Sequence, residues 1–246
     1  MKRKLSILLI ITMIVSMFTL GGCGTEVTPV EDFEYEFDSS INGAVITGYS
    51  GESDKVSFPD TIDGYIVKGI GDNAFAGRTV TQINIPDSVT IIGDSAFSGC
   101  DKLVEITIGS GVTSISNNVF DNCSNVKKLT YNSNCIPNAC HNFALSLEKV
   151  VIGDNVTQII PRAFSGAKKL TSIEIGKNVE KISDYALSNT GLTYIKVPDD
   201  IEYIGIGAMY NRGESDDLKI TYKYKGKKYD SWVEFSKAFT KATHKD

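Results

Sequence analysis

The sequence is poor in the residues and motifs that most often carry catalysis or metal binding. Its 246 residues include only two histidines and one tryptophan. It has no G-x-S-x-G nucleophile motif, no glycine-rich phosphate loop and no H-E-x-x-H zinc motif. Acidic pairs such as Asp199-Asp200 fall in predicted loops, and a glycosidase-like carboxylate pair is the one enzymatic alternative. The sequence therefore predicts a protein that is not an enzyme and has no metal or cofactor.

Positive charge is scarce after the first few residues. The chain has 25 Lys and Arg against 30 Asp and Glu, a formal net charge of −5. Without residues 1–22, which hold three cations and no acidic residue, 22 basic residues would face 30 acidic ones, for a net charge of −8. Nucleic-acid binding depends on basic surfaces. We therefore expect no nucleic-acid partner.

A charged and then apolar segment opens the chain. Lys2, Arg3 and Lys4 precede an uncharged run of 16 residues, 5–20, and Gly-Gly-Cys follows the run. This order is typical of a secretory signal peptide. A retained transmembrane anchor is the alternative, but the run is shorter than the roughly 20 residues that usually span a bilayer.

The end of this segment, residues 20–23, resembles the lipobox of bacterial lipoproteins. The resemblance implies that the signal peptide, residues 1–22, is removed and that Cys23 carries a diacylglyceryl group. Residues 23–32 would then be a polar tether. The protein would be secreted across the cytoplasmic membrane and anchored on the bacterial cell surface, with the lipid as its only membrane contact.

One pattern recurs along the rest of the chain. A large residue, in most copies phenylalanine, returns every 21 to 23 residues, at Phe75, Phe97, Phe120, Phe143, Phe164, Leu187 and Met209. In most copies Val or Ile stands five and eight residues earlier, and from the second copy on an apolar pair stands twelve and fourteen residues earlier. A period of 20 to 29 residues is typical of a leucine-rich-repeat solenoid.

Each copy can be interpreted physically. The apolar pair, two residues apart, predicts a short strand with one buried face. Asp72, Asp94, Asn117 and Asp184 stand three residues before the large apolar residue. At this position we expect the side chain to accept a hydrogen bond from the backbone N–H two or three residues later in the chain. This bond would cap a brief helical turn. One copy cannot bury its apolar side alone, so stacked copies must form continuous ladders.

The full pattern, I-x-I-x-x-x-V-x-x-I-x-x-x-A-F-x-x-C, resembles the BspA-type leucine-rich repeat of bacterial surface proteins. It covers residues 55–220 in about seven copies. The resemblance implies a right-handed, mainly β solenoid with short helical turns, displayed outside the cell. It also implies a role in adhesion or in binding host or matrix proteins, although the fold alone does not decide the function.

The two ends of a solenoid must be closed. Residues 33–54 predict an N-terminal β-hairpin cap, because aromatic and acidic residues alternate before an Asn-Gly turn. Residues 221–246 predict a C-terminal cap of a strand and a helix, and Ser231 and Glu234 have capping-box spacing. The helix could instead be an amphipathic partner-binding segment. Its apolar face comprises Trp232, Phe235, Phe239 and Ala242.

The cysteines after Cys23 favour packing over chemistry. Cys100 and Cys123 occupy the same position in successive copies, where a small buried residue is expected and a disulfide between coils is the alternative. The fourth copy departs from the pattern with Cys135, Cys140 and His141. These three could form a metal cluster, a nucleophile with its base or a disulfide. A locally irregular coil is the simpler interpretation.

The outward positions of the strands are the predicted binding surface, because alternate strand residues point away from the core. The two outward columns are Asn84, Thr107, Thr130, Val151, Glu174 and Lys196, and Gln82, Glu105, Lys128, Lys149, Ser172 and Tyr194. The proposed contact residues are Lys128, Lys149, Glu174, Tyr194, Lys196 and Tyr203. Mixed charge and few aromatic residues suit a protein surface. Tyr194 is the best candidate anchor.

The sequence leaves the nature of the partner open. We expect a monomer that binds a protein or glycan outside the cell. One alternative is that the two columns are only a solvated sheet face. Another is a structural or accessory envelope lipoprotein with no ligand of its own.

Overall fold

The computed structural model describes residues 28–116, 118–134, 145–210 and 220–243. These form a mainly β solenoid of about seven turns with one short C-terminal helix, so the predicted fold class is confirmed. The signal segment, the tether up to residue 27 and the irregular part of the fourth copy lie outside the described residues.

The longest sheet runs along one side of the solenoid. Its strands are all parallel, and each one pairs with the next in chain order. Its strands are β3 (Lys55–Ser57), β6 (Gln82–Ile85), β8 (Glu105–Ile108), β10 (Lys128–Tyr131), β11 (Lys149–Ile152) and β13 (Ser172–Ile175). In β6, β8, β10 and β11 the predicted apolar pair is buried and the two other residues are half-buried. We call the outward side of this sheet the strand face.

Short strands form a second side of the solenoid. In the first coils β2 (Gly43–Tyr49) pairs with β5 (Tyr65–Ile70), followed by β7 (Ile91–Ile92) and β9 (Ser114–Ile115). In the last coils the equivalent strands form a separate parallel sheet of β12 (Gln158–Ile159), β14 (Lys181–Ile182) and β16 (Tyr203–Ile204). We call this side, with the turns that follow the short strands, the second face.

The large apolar residues of the repeat form the predicted ladder. Phe75 lies 5.4 Å from Phe97, and Phe97 stacks on Phe120 at 5.5 Å between ring centroids. All the described members are buried, namely Phe75, Phe97, Phe120, Phe164, Leu187 and Met209. Because each ring fills the space between two coils, this ladder holds the coils at a constant spacing.

The predicted capping role was wrong for Asp72 and Asp184, and Asn117 lies outside the described residues. Asp72 Oδ1 accepts from the N–H of Asp94 at 2.7 Å, and Asp184 Oδ1 accepts from the N–H of Ile206 at 2.9 Å. Both donors lie 22 residues on, in the next coil, rather than within the same turn. The segments at these positions are turns, not helices. The side chains therefore tie neighbouring coils together.

The N-terminal cap is an antiparallel hairpin of β1 (Phe33–Asp38) and β2. It extends the sheet of short strands, and β4 (Thr61–Ile62) pairs with β5 beside it. Phe33 is buried against Phe58 and Phe75, with ring centroids 5.4 and 6.5 Å away. The hairpin therefore covers the first end of the aromatic ladder.

The C-terminal cap combines β15 (Tyr194–Lys196), β17 (Thr221–Tyr224), β18 (Lys227–Tyr229) and the helix α1 (Trp232–Thr243). Ser231 Oγ accepts from the N–H of Glu234 at 3.2 Å, as the capping box predicts. Phe235 is fully buried and stacks on Tyr222 at 5.1 Å. The helix therefore packs on the end of the solenoid. Within the described part of the chain, no helix has the length and apolarity to cross a membrane.

Candidate functional site

The strand face presents ordered columns of polar side chains. The sheet register aligns Lys128 with Glu105 on one side and with Lys149 on the other. It likewise aligns Thr130 with Thr107 and with Val151. The two outward columns are therefore continuous from β6 to β13, as the repeat period predicts.

Four charged residues of the strand face form two ion pairs. Lys128 Nζ lies 3.2 Å from Glu105 Oε2, and Lys149 Nζ lies 2.6 Å from Glu174 Oε1. These side chains remain 41% to 60% exposed, so water screens both pairs and each contributes little to stability. The pairs instead fix the positions of the side chains, and they leave the face with no strong charge of either sign.

A polar groove of about 700 Å³ runs along one edge of the strand face. One wall is formed by outward strand residues, including Thr107 and Thr130. The other wall consists of the turns at the carboxyl ends of the strands, with Asp87, Asn132 and Asp154. Loops held by a rigid scaffold are frequent binding sites. The groove offers hydroxyl, amide and carboxylate groups to a ligand.

Hydrogen bonds between coils hold the wall of turns in this groove. Asp87 Oδ1 accepts from the N–H of Ser110 at 2.6 Å, and Asn132 Oδ1 accepts from the N–H of Asn155 at 3.2 Å. Our sequence interpretation missed these turn residues. The signal that could have found them is an Asp or Asn that recurs one or two residues after a strand. It is weak, because the same residues are common in any turn.

Two of the other proposed contact residues lie on a strand that contacts this sheet without extending its ladder. Tyr194 and Lys196 lie on β15, which pairs with Thr221 and Lys223 of β17 and not with β13. β15 still contacts β13, and its exposed Tyr194 and Lys196 flank the buried Ile195, so only the hydrogen-bonded ladder ends at β13.

Tyr203 is farther still from the strand face. It lies on β16, in the sheet of short strands, and Lys181 Nζ lies 5.0 Å from its ring centroid. Of the six proposed contact residues, Lys128, Lys149 and Glu174 share the long sheet. Tyr203 and Tyr194 are close in sequence but lie on different surfaces, because the chain passes from one sheet to another between them.

Cys100 and Cys123 are free thiols in the core. The Sγ atoms of Cys100 and Cys123 lie 3.1 Å from the carbonyl oxygens of Phe75 and Phe97, to which they donate. Burial raises the pKa of Cys100 to about 11 and that of Cys123 to about 12. Both thiols are therefore neutral at physiological pH and act as small packing residues rather than nucleophiles.

The cluster of Cys135, Cys140 and His141 lies outside the described residues, so this prediction stays untested. Within the described ranges there is no group of three His, Cys, Asp or Glu side chains that could hold a metal ion. The strand face and its groove are thus the candidate site that the geometry supports.

Comparison with known proteins agrees with this architecture. The model of the BspA type leucine rich repeat region matches residues 68–143 and 134–230, in six copies. Among solved structures, a leucine-rich repeat protein from Eubacterium ventriosum is 26% identical with a TM-score of 0.55, over 75% of this chain and 50% of that one. No curated protein matches the sequence.

Two further solved structures are similar. A leucine rich cell surface protein from Faecalibacterium prausnitzii is 24% identical with a TM-score of 0.47, over 80% of this chain and 58% of that one. A leucine rich repeat protein from T. pallidum is 22% identical with a TM-score of 0.49, over 90% of this chain and 97% of that one. The chain thus spans only 50% to 58% of the E. ventriosum and F. prausnitzii proteins. The family match extends over more than half of the sequence, and the chain belongs to the BspA-type leucine-rich-repeat family.

Proposed function

We propose that the chain is a lipid-anchored cell-surface protein that binds a protein or glycan partner on its strand face without catalysing a reaction. The observation that carries this proposal is the continuous polar surface of six parallel strands with a groove along one edge. Membership of the BspA-type family, whose proteins are typically found on bacterial cell surfaces, supports it.

The strand face suits binding because it is ordered before a partner arrives. Its backbone is held by parallel ladders, and Lys128 and Lys149 are held by ion pairs. Preorganised side chains lose little conformational entropy on association. Since the ion pairs leave the face nearly neutral, it suits a partner of mixed charge or a hydroxyl-rich glycan better than a polyanion.

We expect the double variant Lys128→Ala/Lys149→Ala to weaken partner binding about tenfold, as the loss of two ordered contacts of modest strength each would. Binding would be measured on an array of matrix proteins, mucins and cell-wall glycans, and affinities determined for each hit. The matched control is Lys227→Ala/Lys228→Ala, which removes two exposed lysines from β18 in the C-terminal cap. Unchanged affinity in a variant that keeps its melting temperature would exclude these lysines from the site.

Membrane anchoring requires its own test, because Cys23 lies outside the described residues. We expect mass spectrometry of protein from the native membrane to show an N-terminus at Cys23 that carries acyl chains. The Cys23→Ala variant should lose its membrane association, since no other lipid attachment is expected. A variant that stays equally membrane-bound, or a native chain that still begins at Met1, would contradict lipidation.

A further inference from the structure

Four large side chains are exposed together on the second face of the last coils. Tyr185, Tyr203, Ile206 and Tyr210 are between 39% and 72% exposed. The N–H of Tyr185 donates to the carbonyl of Ile206 at 3.0 Å. The hydroxyl of Tyr203 lies 3.4 Å from Asp184 Oδ1, which also accepts from the N–H of Ile206. These contacts bring Tyr185, Tyr203 and Ile206 together. With Tyr210, which follows Ile206 by four residues, we call them the tyrosine patch.

The repeat itself does not require these residues. The equivalents of Tyr185 in the first two coils are Asn73 and Ser95, and an equivalent of Tyr203 is Ser114. The position of Ile206 in the last coil is occupied by Asp72 and Asp94 in the first two coils. The position of Tyr210 is occupied there by Ala76 and Ser98. Small and polar residues therefore satisfy the fold at these positions. The second coil has the exposed Ile91 at the position of Tyr203, but only the last coils combine several large residues.

Backbone strain accompanies two of the large residues. Arg162 and Tyr185 adopt positive φ angles of 57° and 55°, at the position where Asn73 and Ser95 have 56° and 53°. Asn enters this left-handed region readily, whereas a bulky side chain there is an outlier. Strained residues are retained where the surrounding structure or a function requires them. Because the same position accepts Asn and Ser in this chain, the fold does not explain the choice of Arg and Tyr.

The cations beside the patch differ from those of the strand face. The guanidinium of Arg162 lies 5.6 Å from the ring centroid of Tyr185, and Lys181 Nζ lies over the ring of Tyr203. Among the ion pairs of the described residues, neither cation takes part, whereas Lys128 and Lys149 are both paired. Arg162 and Lys181 are thus available to an anionic group from another molecule.

The ring of Tyr185 is poorly placed to stack on a sugar. One face of each of the rings of Tyr185 and Tyr203 lies against a cation. A Cβ built at Gly207 would lie 2.6 Å from the Tyr185 ring, so this ring also rests on the backbone of the next coil. The edges and hydroxyl groups of these rings, together with the side chain of Ile206, remain exposed for contact with a partner. Tyr and Arg side chains beside an exposed aliphatic residue are typical of protein–protein hot spots.

We propose that the tyrosine patch, together with Arg162 and Lys181, is a second interaction surface that docks an acidic segment of a polypeptide partner. Carboxylates of the segment meet the two cations, and an apolar side chain packs on Ile206. Glu180 and Glu202 are exposed and directly precede Lys181 and Tyr203 in the sequence. The densest negative charge of the partner therefore lies towards Arg162. This surface does not depend on any ligand of the strand face.

The test uses a triple variant that restores residues from the earlier coils, Arg162→Ser, Tyr185→Asn and Tyr203→Ser. Because Ser95, Asn73 and Ser114 occupy these positions in the same solenoid, we expect its melting temperature to stay within about 4 °C of the parent. Displayed random 12-residue peptides would be selected on the purified parent protein. We expect the enriched peptides to be net acidic and to contain an apolar residue.

Synthetic copies of the enriched peptides would then be titrated into each variant. We expect the triple variant to lose at least tenfold in affinity and Lys128→Ala/Lys149→Ala to lose less than twofold. Affinity for the parent should also fall as salt is raised, because exposed charges are screened. Equal affinity for parent and triple variant, or enrichment without acidic bias, would overturn the proposal. Polygalacturonate binding at the patch in the absence of peptide binding would overturn it too, since the partner would then be an anionic glycan.

Discussion

Phe120→Ala is expected to lower the free energy of unfolding by about 3–5 kcal/mol, the usual cost of truncating a fully buried phenylalanine. Phe120 has no exposed surface, and its ring stacks on that of Phe97 with an interplanar angle of 13°. Alanine would leave a cavity between two coils. Neighbouring side chains cannot fill it without shifting the ladder on both sides. Urea midpoints, with the slope of the transition checked for constancy, measure the effect.

Thr107→Ala is the matched control in the same coil. Thr107 points outward from β8 and is half-buried on the strand face. Its replacement is expected to change stability by no more than about 0.5 kcal/mol. A similar shift of the urea midpoint in both variants would show that the aromatic ladder does not dominate the stability of the solenoid.

Gly111→Ala is expected to lower the free energy of unfolding by about 2–3 kcal/mol, because it forces the backbones of two coils apart. A Cβ built at Gly111 would lie 1.9 Å from the carbonyl oxygen of Asp87, and 3.0 Å from that of Val89. Both are backbone atoms of the neighbouring coil, so no side chain can rotate away. The effect arises from close approach of the chain rather than from an unusual φ angle.

Ser110→Ala tests whether the loss is specific to this contact. The N–H of Ser110 donates to Asp87 Oδ1, and alanine keeps that donor. We expect a change within about 0.5 kcal/mol. Thermal and urea unfolding of the two variants, compared in one buffer, measure the difference. If Gly111→Ala were as stable as Ser110→Ala, the coils would not approach as closely in solution as the structure shows.

The candidate binding residues show how far sequence patterns reach. Lys128 and Lys149 were placed on one face by counting alternate strand residues, and the sheet register agrees with that count. The same count places Tyr194 beside them, and its strand β15 contacts β13 but forms its hydrogen-bonded ladder with β17 instead. Counting assumes that every coil bonds to the next in the same way. That assumption fails between β13 and β15, where the long sheet is not continued.

The sequence by itself determined the period, the buried columns and therefore the solenoid, because stacked copies must align equivalent residues to bury their apolar sides. Only the tertiary structure decided how those coils are joined. It assigned Asp72 and Asp184 to hydrogen bonds with the next coil, and it brought Tyr185 and Tyr203 into one patch with unpaired cations. These contacts depend on the offset and spacing between coils. The repeat length determines which residues of two coils are equivalent. It does not determine which of their side chains are in contact.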